Sequence, residues 1–313
     1  MASGACVIVS FESRQLRGVV GVSRIGAIEA GGTKMVLAVG TEDGDILERT
    51  AFPTTDPASS IARMVEWFSG RSIDALGVGA FGPTCVNPSD ASFGYVLETP
   101  KVAWRHVDFR GALAADLNVP VGYDTDVNAA CLGEATYGAG KGLDCLVYVT
   151  VGTGIGAGVL VDGKLLHGML HAEAGHIPVT RMEGDGLPSV CPYHPSCLEG
   201  LASGPSIESR WGRPAADLEG RDDVWELEAA YLAQGLATYV LCYAPRRIVL
   251  GGGVMSQLQL FPLIRAGMSS ILAGYVRTPE IEDLDTYIVP SGCAGDQGIL
   301  GALELGRRAL RGD

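Results

Sequence analysis

The chain has 313 residues, of which 47% are hydrophobic and 19% are charged; these proportions exclude a disordered chain and allow two lobes with buried cores. Its 23 basic and 36 acidic residues give a net charge of −13, which excludes a broad cationic surface for a nucleic acid or an anionic membrane. No apolar stretch reaches the roughly 20 residues that a membrane-spanning helix needs.

The first half of the chain predicts an antiparallel meander followed by a helix and a buried strand. Residues 1–24 lack the order of a secretion signal and are expected to form a poorly ordered extension. Apolar runs at 25–29, 34–39 and 46–52 predict three strands joined by glycine-containing and acidic turns. Helical spacing at 59–68 then leads to a buried strand at 75–80.

A second round of the same pattern follows a short strand at 119–125 and an alanine-rich helix. Strands at 146–151 and 157–161 enclose a glycine turn, and a long helix at 225–243 precedes a core strand at 247–250. An amphipathic helix at 298–310 is expected to pack on the first lobe. The sequence therefore predicts an α/β protein of two similar lobes, 25–125 with 299–313 and 126–298, separated by a cleft.

Three glycine clusters, at 30–33, 152–158 and 251–253, follow apolar strands. Glycine lets successive backbone N–H groups converge on a phosphate without any basic side chain, although each cluster alone could be a tight hairpin turn. Thr33 and Thr153 occupy equivalent places beside these glycines, where a hydroxyl can donate to a phosphate. The second cluster continues into a strand and no Gly-Lys-Ser/Thr sequence occurs, which disfavours dinucleotide and P-loop sites.

Four motifs resemble the ROK sugar kinases of the actin-like ATPase superfamily. They are Glu-Ala-Gly-Gly-Thr-Lys at 29–34, Thr-Asp-Val-Asn-Ala-Ala at 125–130, Val-Gly-Thr-Gly-Ile-Gly at 151–156 and Leu-Gly-Gly-Gly-Val at 250–254. The resemblance implies two RNase-H-like lobes that close over ATP and Mg²⁺ in a cytoplasmic, homodimeric hexose kinase. The nucleotide-binding residues that it implies are Gly31, Gly32, Thr33, Lys34, Thr153, Gly154, Gly204, Gly251, Gly252 and Gly253.

Asp126 is the candidate general base. It matches the catalytic aspartate of the resembling family, which accepts the proton of the sugar hydroxyl that attacks the γ-phosphoryl group. Asn128 matches a residue that binds sugar hydroxyls, with a hydrogen bond at the helix start as its alternative. Asp124 or Thr125 is expected to cap the helix that follows.

The spacing Cys-x-x-His-x-x-Cys, at Cys191, His194 and Cys197, predicts a tetrahedral zinc site with His176 as the fourth ligand. Four protein ligands leave no open position, so this zinc is expected to be structural. A disulfide between Cys191 and Cys197 is the competing interpretation, but the irregularly placed cysteines are typical of a reduced, cytosolic protein. His171 is left over, as a packed or solvated residue.

The loop at 171–199 is also the candidate hexose site. By resemblance, Glu173, His176 and Glu199 bind sugar hydroxyls, which suits carboxylates that only accept hydrogen bonds. The metal spacing, Glu29 in place of the usual aspartate, and Gly82-Pro83 resemble the bacterial, zinc-containing fructokinase branch. D-fructose is therefore the expected acceptor; mannose, glucose, N-acetylmannosamine and a non-catalytic sugar sensor remain alternatives.

Overall fold

The computed structural model describes residues 23–313. Of the predicted N-terminal extension, residues 1–22 lie outside the described residues. Arg24 already belongs to the first strand, one residue before its predicted start. The strands and helices named below therefore refer to the described part of the chain.

Five strands form the first sheet: β1 (Arg24–Ala30), β2 (Lys34–Thr41), β3 (Ile46–Pro53), β4 (Ala75–Ala80) and β5 (Val121–Thr125). Their order is β3-β2-β1-β4-β5, with the first three antiparallel and β4 and β5 parallel to β1. Every residue of β4 is buried, as expected for a central parallel strand whose two faces are both covered. The predicted meander and buried strand are confirmed.

The second sheet repeats this plan with β6 (Leu146–Val151), β7 (Ile155–Val161), β8 (Lys164–Leu165), β9 (Ile248–Gly251) and β10 (Ile288–Pro290). Its order, β10-β9-β6-β7-β8, is the same topology, because β6 and β7 form the hairpin and β9 and β10 run parallel to β6. The predicted internal repeat is therefore present in the structure. The proposed boundary between the lobes falls where β5 ends.

The helices cover the faces of both sheets. In chain order they are α1 (Pro57–Ser69), α2 (Phe109–Leu117), α3 (Asp126–Thr136), α4 (Leu198–Ala202), α5 (Gly204–Trp211), α6 (Asp222–Tyr243), α7 (Leu260–Leu272), α8 (Pro279–Glu282), α9 (Leu284–Tyr287) and α10 (Gln297–Arg311). Trp225, Tyr231 and Tyr239 of α6 are fully buried in the second core. Among the residues that the structure describes, no helix is both long and apolar enough to span a membrane.

Helices α3 and α10 cross each other between the two sheets. The crossing is close because it passes over glycines: a Cβ on Gly301 would lie 1.6 Å from the carbonyl oxygen of Ala129, and one on Gly133 would lie 2.2 Å from that of Gln297. Helix α10 also packs on the first sheet, where a Cβ on Gly77 would lie 1.8 Å from the Ala302 carbonyl oxygen. The last helix thus packs against the first sheet, beside the strands of the lobe to which the sequence analysis assigned it.

The carboxylate of Glu134 fastens the end of α3 to the segment that leads into α10. It accepts hydrogen bonds from the backbone N–H groups of Ala139 (2.8 Å), Gly292 (3.0 Å) and Cys293 (3.3 Å), and from the hydroxyl of Ser291. The side chain is fully buried. A buried carboxylate is stable only when its oxygens are paired in this way, so the two chain segments between the sheets are held together at this point.

Candidate active site

Asp126 begins α3 at the carboxyl end of β5. Thr125, one of the two residues expected to cap this helix, is the N-cap, and its Oγ1 accepts a hydrogen bond from the Asn128 N–H at 3.1 Å. One carboxylate oxygen of Asp126 accepts from the Val127 N–H at 2.8 Å. Burial, together with the nearby carboxylates of Glu29 and Glu173, raises the pKa of Asp126 to about 7. Such a group can exchange a proton near neutral pH.

A second carboxylate, Asp124, lies buried just before the candidate base. Its Oδ1 accepts from the side-chain amide of Asn128 at 2.7 Å, and its Oδ2 lies 2.8 Å from Nε2 of His167. The pKa of His167 is raised by this contact with Asp124. One N–H of the Asn128 side-chain amide is therefore used inside the protein, and its second N–H and its oxygen remain for a ligand.

The first glycine turn joins β1 to β2. The Gly31 N–H donates to the Lys34 carbonyl at 2.9 Å, and a Cβ on Gly31 would lie 2.8 Å from that oxygen, so the turn requires glycine. Thr33 and Lys34 are exposed at its tip. The Lys101 side chain passes over Gly32, with Cε 3.3 Å from the place of a Cβ. A ligand at this turn could therefore contact backbone N–H groups, the Thr33 hydroxyl and the amines of Lys34 and Lys101.

The second glycine turn joins β6 to β7 and contacts the start of α5. The Gly152 N–H donates to the Gly154 carbonyl at 2.9 Å, and the Gly152 carbonyl accepts from the Gly204 N–H at 2.7 Å. Thr153 is exposed at the tip, as Thr33 is in the first turn. The turns of the two repeats thus present equivalent hydroxyl groups.

The third glycine turn follows β9 and lies against the second. Gly252 has a φ of +91°, and a Cβ there would lie 2.3 Å from the Val151 carbonyl oxygen. The second and third turns are adjacent, because a Cβ on Gly152 would lie 3.9 Å from the Gly253 nitrogen. A Cβ on Gly251 would lie 2.4 Å from the Tyr148 hydroxyl. Close approach of the Val151 backbone therefore explains Gly252, and the Tyr148 side chain explains Gly251.

The four predicted metal ligands lie together. Their ligand atoms all fall within 4.8 Å of one another. Cys191 Sγ lies 3.7 Å from His176 Nδ1 and 3.5 Å from His194 Nδ1, and Cys197 Sγ lies 3.8 Å from His176 Nδ1. A tetrahedral zinc ion with ordinary bond lengths separates sulfur and nitrogen ligands by about 3.5 Å, so the donor set fits the ion. Within residues 23–313 no cysteine forms a disulfide.

Of the candidate hexose ligands, His176 belongs to this cluster and Glu199 lies beside it. Oε2 of Glu199 accepts from the Ile155 N–H at 2.9 Å, and Oε1 lies 3.8 Å from Nε2 of His176. Glu173 is half-exposed, and its Oε1 lies 3.5 Å from Nε2 of His171. The cis peptide bond between Gly82 and Pro83 lies across from this loop, because a Cβ on Gly82 would be 3.4 Å from the His171 ring.

Sequence reasoning did not identify two histidine contacts near the site. His167 pairs with Asp124 over a separation of 43 residues, and no local spacing signals such a pair. His171, which the sequence left as a spare residue, is buried against Gly82. Lys101, which lies far from the first glycine turn in sequence, passes over that turn.

Two sheets of one topology, each carrying a glycine turn in its hairpin, define the actin-like ATPase fold. The profile of the ROK family matches residues 25–309. The chain belongs to the ROK family.

The similarity to known proteins extends along nearly the whole chain. It is 48% identical to a Bacillus subtilis protein over 290 residues, which are 92% of this chain and 97% of that protein. It is 43% identical to the fructokinase of Pediococcus pentosaceus over 287 residues, 92% of this chain and 99% of the relative. A ROK family glucokinase from Streptomyces griseus, solved in complex with glucose and AMPPNP, superposes with a TM-score of 0.73 at 25% identity, covering 91% of this chain and 100% of that one.

Proposed function

We propose that the chain is a fructokinase that transfers the γ-phosphoryl group of ATP to the 6-hydroxyl of D-fructose. The observation that carries this proposal is Asp126, a carboxylate at the carboxyl end of β5 whose pKa is raised to about 7. The 43% identity to the fructokinase of Pediococcus pentosaceus, over 92% of this chain, supports fructose as the acceptor.

In the proposed reaction, Asp126 accepts the proton of the sugar hydroxyl as that oxygen bonds to the γ-phosphorus. The bond between the γ-phosphorus and the oxygen bridging to ADP breaks, so that ADP and fructose 6-phosphate are the products. A base with a pKa near the working pH combines a useful deprotonated fraction with a strong affinity for the proton. The amide nitrogen of Asn128 is held by Asp124, which steadies the start of the helix that carries the base.

The nucleotide is proposed to bind to the three glycine turns. The N–H groups of Gly32 and Gly154 would hold phosphate oxygens, with the hydroxyls of Thr33 and Thr153 as further donors. Gly31, whose own N–H closes the turn on the Lys34 carbonyl, would let the backbone of the turn approach the phosphates closely. Gly204 and the Gly251, Gly252 and Gly253 turn lie beside the second hairpin, which suits the remainder of the nucleotide. Lys34 is exposed at the tip of the first turn, where its amine would offset phosphate charge.

Mg²⁺, the metal of this chemistry, would offset the charge of the transferred group. Glu29 is the carboxylate that suits it, since this residue is part-buried at the end of β1 and acts electrostatically on Asp126. Burial raises the pKa of Glu29, and a nearby cation would favour its charged form.

Zinc is proposed to be structural. His176, Cys191, His194 and Cys197 supply four ligands, and no further ligand position is needed. The ion would fix the loop from which Glu173, His176 and Glu199 bind hexose hydroxyls. Gly82 and Pro83 would close the opposite side of the sugar site. A cytoplasmic homodimer is the proposed state of the enzyme.

The test is an assay of purified protein with ATP, Mg²⁺ and a panel of fructose, mannose, glucose and N-acetylmannosamine. We expect fructose to give the highest kcat/KM, with fructose 6-phosphate and ADP in equal amounts. A chain that transfers phosphate to none of these sugars would refute the proposed activity. Preference for another hexose would refute only the assignment of fructose.

A further inference from the structure

A short hairpin carries two histidines into the proposed hexose site. His167 and His171 are backbone bridge partners, and the Gly168 N–H donates to the Leu170 carbonyl at 3.1 Å, so the turn between them is tight. His167 is anchored by Asp124, at 2.8 Å, next to the candidate base. This anchor fixes the position of the hairpin and therefore of His171.

The imidazole of His171 is buried but incompletely paired. Its side chain is only 6% exposed, and its Nε2 atom has no hydrogen-bond partner. A buried polar atom without a partner is costly, and native proteins keep few of them. The ring also lies against Gly82, where a Cβ would be only 3.4 Å from it, so this glycine gives the ring room.

Glu173 is the acid nearest to this unpaired nitrogen. Its Oε1 lies 3.5 Å from Nε2 of His171, slightly beyond hydrogen-bond length, and its side chain is 46% exposed. A carboxylate with that much exposure can adopt several rotamers unless a partner restrains it. A displacement of a few tenths of an ångström would complete a hydrogen bond from His171 to Glu173.

We propose that His171 is the positioning residue for Glu173: it holds the carboxylate in the orientation that accepts hydrogen bonds from the hexose. This inference rests on the proposed function, because Glu173 is a hexose ligand only if the chain binds a hexose. His171 itself does not touch the reacting atoms. Its contribution is to hexose affinity, and it leaves the nucleotide turns unaffected.

The test compares His171→Gln with His171→Asn in the full-length, zinc-loaded protein. Glutamine places an amide nitrogen near the position of Nε2, whereas asparagine ends short of it. With the hexose that the wild-type protein phosphorylates fastest, we expect H171Q to keep KM within about 3-fold of the wild type and H171N to raise it about 10- to 100-fold. The KM for ATP should stay unchanged in both. Equal hexose KM values for H171Q and H171N would overturn the proposal.

A double-mutant cycle separates positioning from simple packing. If His171 acts through Glu173, H171N should change the hexose KM little further in a Glu173→Ala background. Full additivity of the two substitutions would overturn the proposal. His106→Asn makes the same change at an exposed position outside the site, and it should leave the KM for the hexose unchanged.

Failure of the proposed function would be recognised separately. If the wild-type protein phosphorylates no sugar, the same variants are compared by calorimetric titration with fructose and glucose. A weaker affinity of H171N than of H171Q then supports the positioning role without catalysis. A wild-type protein that binds neither sugar overturns both proposals.

Discussion

Nε2 of His176 lies 3.8 Å from Oε1 of Glu199. The other nitrogen of the same ring faces the sulfur atoms of Cys191 and Cys197, and the other oxygen of Glu199 accepts from the Ile155 N–H beside the second glycine turn. One imidazole therefore connects the metal cluster to a carboxylate at the edge of the proposed phosphate site. We therefore expect loss of a bound metal ion to weaken hexose binding more than nucleotide binding.

Removal of zinc is expected to raise the KM for the hexose about 10-fold or more and to change the KM for ATP less, because His176 loses the ion that orients it. Metal analysis of the untreated protein should give about one zinc per chain. Cys191→Ser should reproduce the effect of the chelator, whereas Cys242→Ser, at an exposed thiol outside the cluster, should not. A zinc content below about 0.5 per chain in undamaged protein would contradict the site.

Replacing Asp126 by Asn is expected to lower kcat by about 10²- to 10⁴-fold, since the amide cannot accept the hydroxyl proton. Binding of ATP and hexose should remain near that of the wild type, as measured by calorimetry. Asp116→Asn, at an exposed acid on α2, is the control for a charge-removing change of the same kind. Turnover of D126N within a few-fold of the wild type would refute the assignment of the base.

The pH dependence follows from the raised pKa of Asp126. The base works in its deprotonated form, which predominates above the pKa of about 7. We therefore expect kcat/KM for the hexose to fall about tenfold per pH unit below that value and to level off above it. The measurement is a kcat/KM profile in buffers of constant ionic strength. A profile that is level from about pH 6 to about pH 8 would disagree with this origin.

Glu29→Gln should move the acid limb of that profile to lower pH. The Glu29 carboxylate raises the pKa of Asp126 through its charge, and a neutral amide removes this contribution. Glu66→Gln, at an exposed position of α1, should leave the limb in place. An acid limb that stays put or moves to higher pH in E29Q would show that Glu29 does not act on the base in this way.

Two glycine substitutions should separate backbone strain from close packing. Gly142 and Gly252 both have positive φ values, +83° and +91°, but a Cβ on Gly142 meets open space and one on Gly252 lies 2.3 Å from a carbonyl oxygen. Gly142→Ala should cost about 1–2 kcal/mol of unfolding free energy. Gly252→Ala should cost about 1–3 kcal/mol more unfolding free energy than Gly142→Ala, as measured by denaturant unfolding. It should also raise the KM for ATP. Equal losses in the two variants would contradict the close approach.

Most of the sheet structure could be predicted because its signals are local. The predicted strand at 75–80 coincides with β4, and the repeated hairpins are marked by apolar runs on either side of glycine. Strand β7 begins two residues earlier than predicted, at Ile155, because Ile155 and Gly156 pair with Val151 and Thr150 rather than belonging to the turn. Strand β10 has only three residues, too few to display an alternating pattern, and it was not predicted.

The candidate site was predictable where its residues are close in sequence. The candidate metal ligands lie within 22 positions of one another, from His176 to Cys197, and their spacing predicted the cluster. The contact between Asp124 and His167 depends on how a hairpin of the second sheet meets the end of β5, and the burial of His171 depends on Gly82. Such contacts arise from tertiary packing, which a single sequence does not encode in any local pattern.

Glu134 fastens together the two segments that pass between the sheets, at a point where α3 and α10 are already in backbone contact. The two halves cannot slide past each other here without breaking buried hydrogen bonds. If the cleft closes over substrates, we expect a hinge rotation near Glu134, in which the parts of the cleft farthest from Glu134 travel the greatest distance.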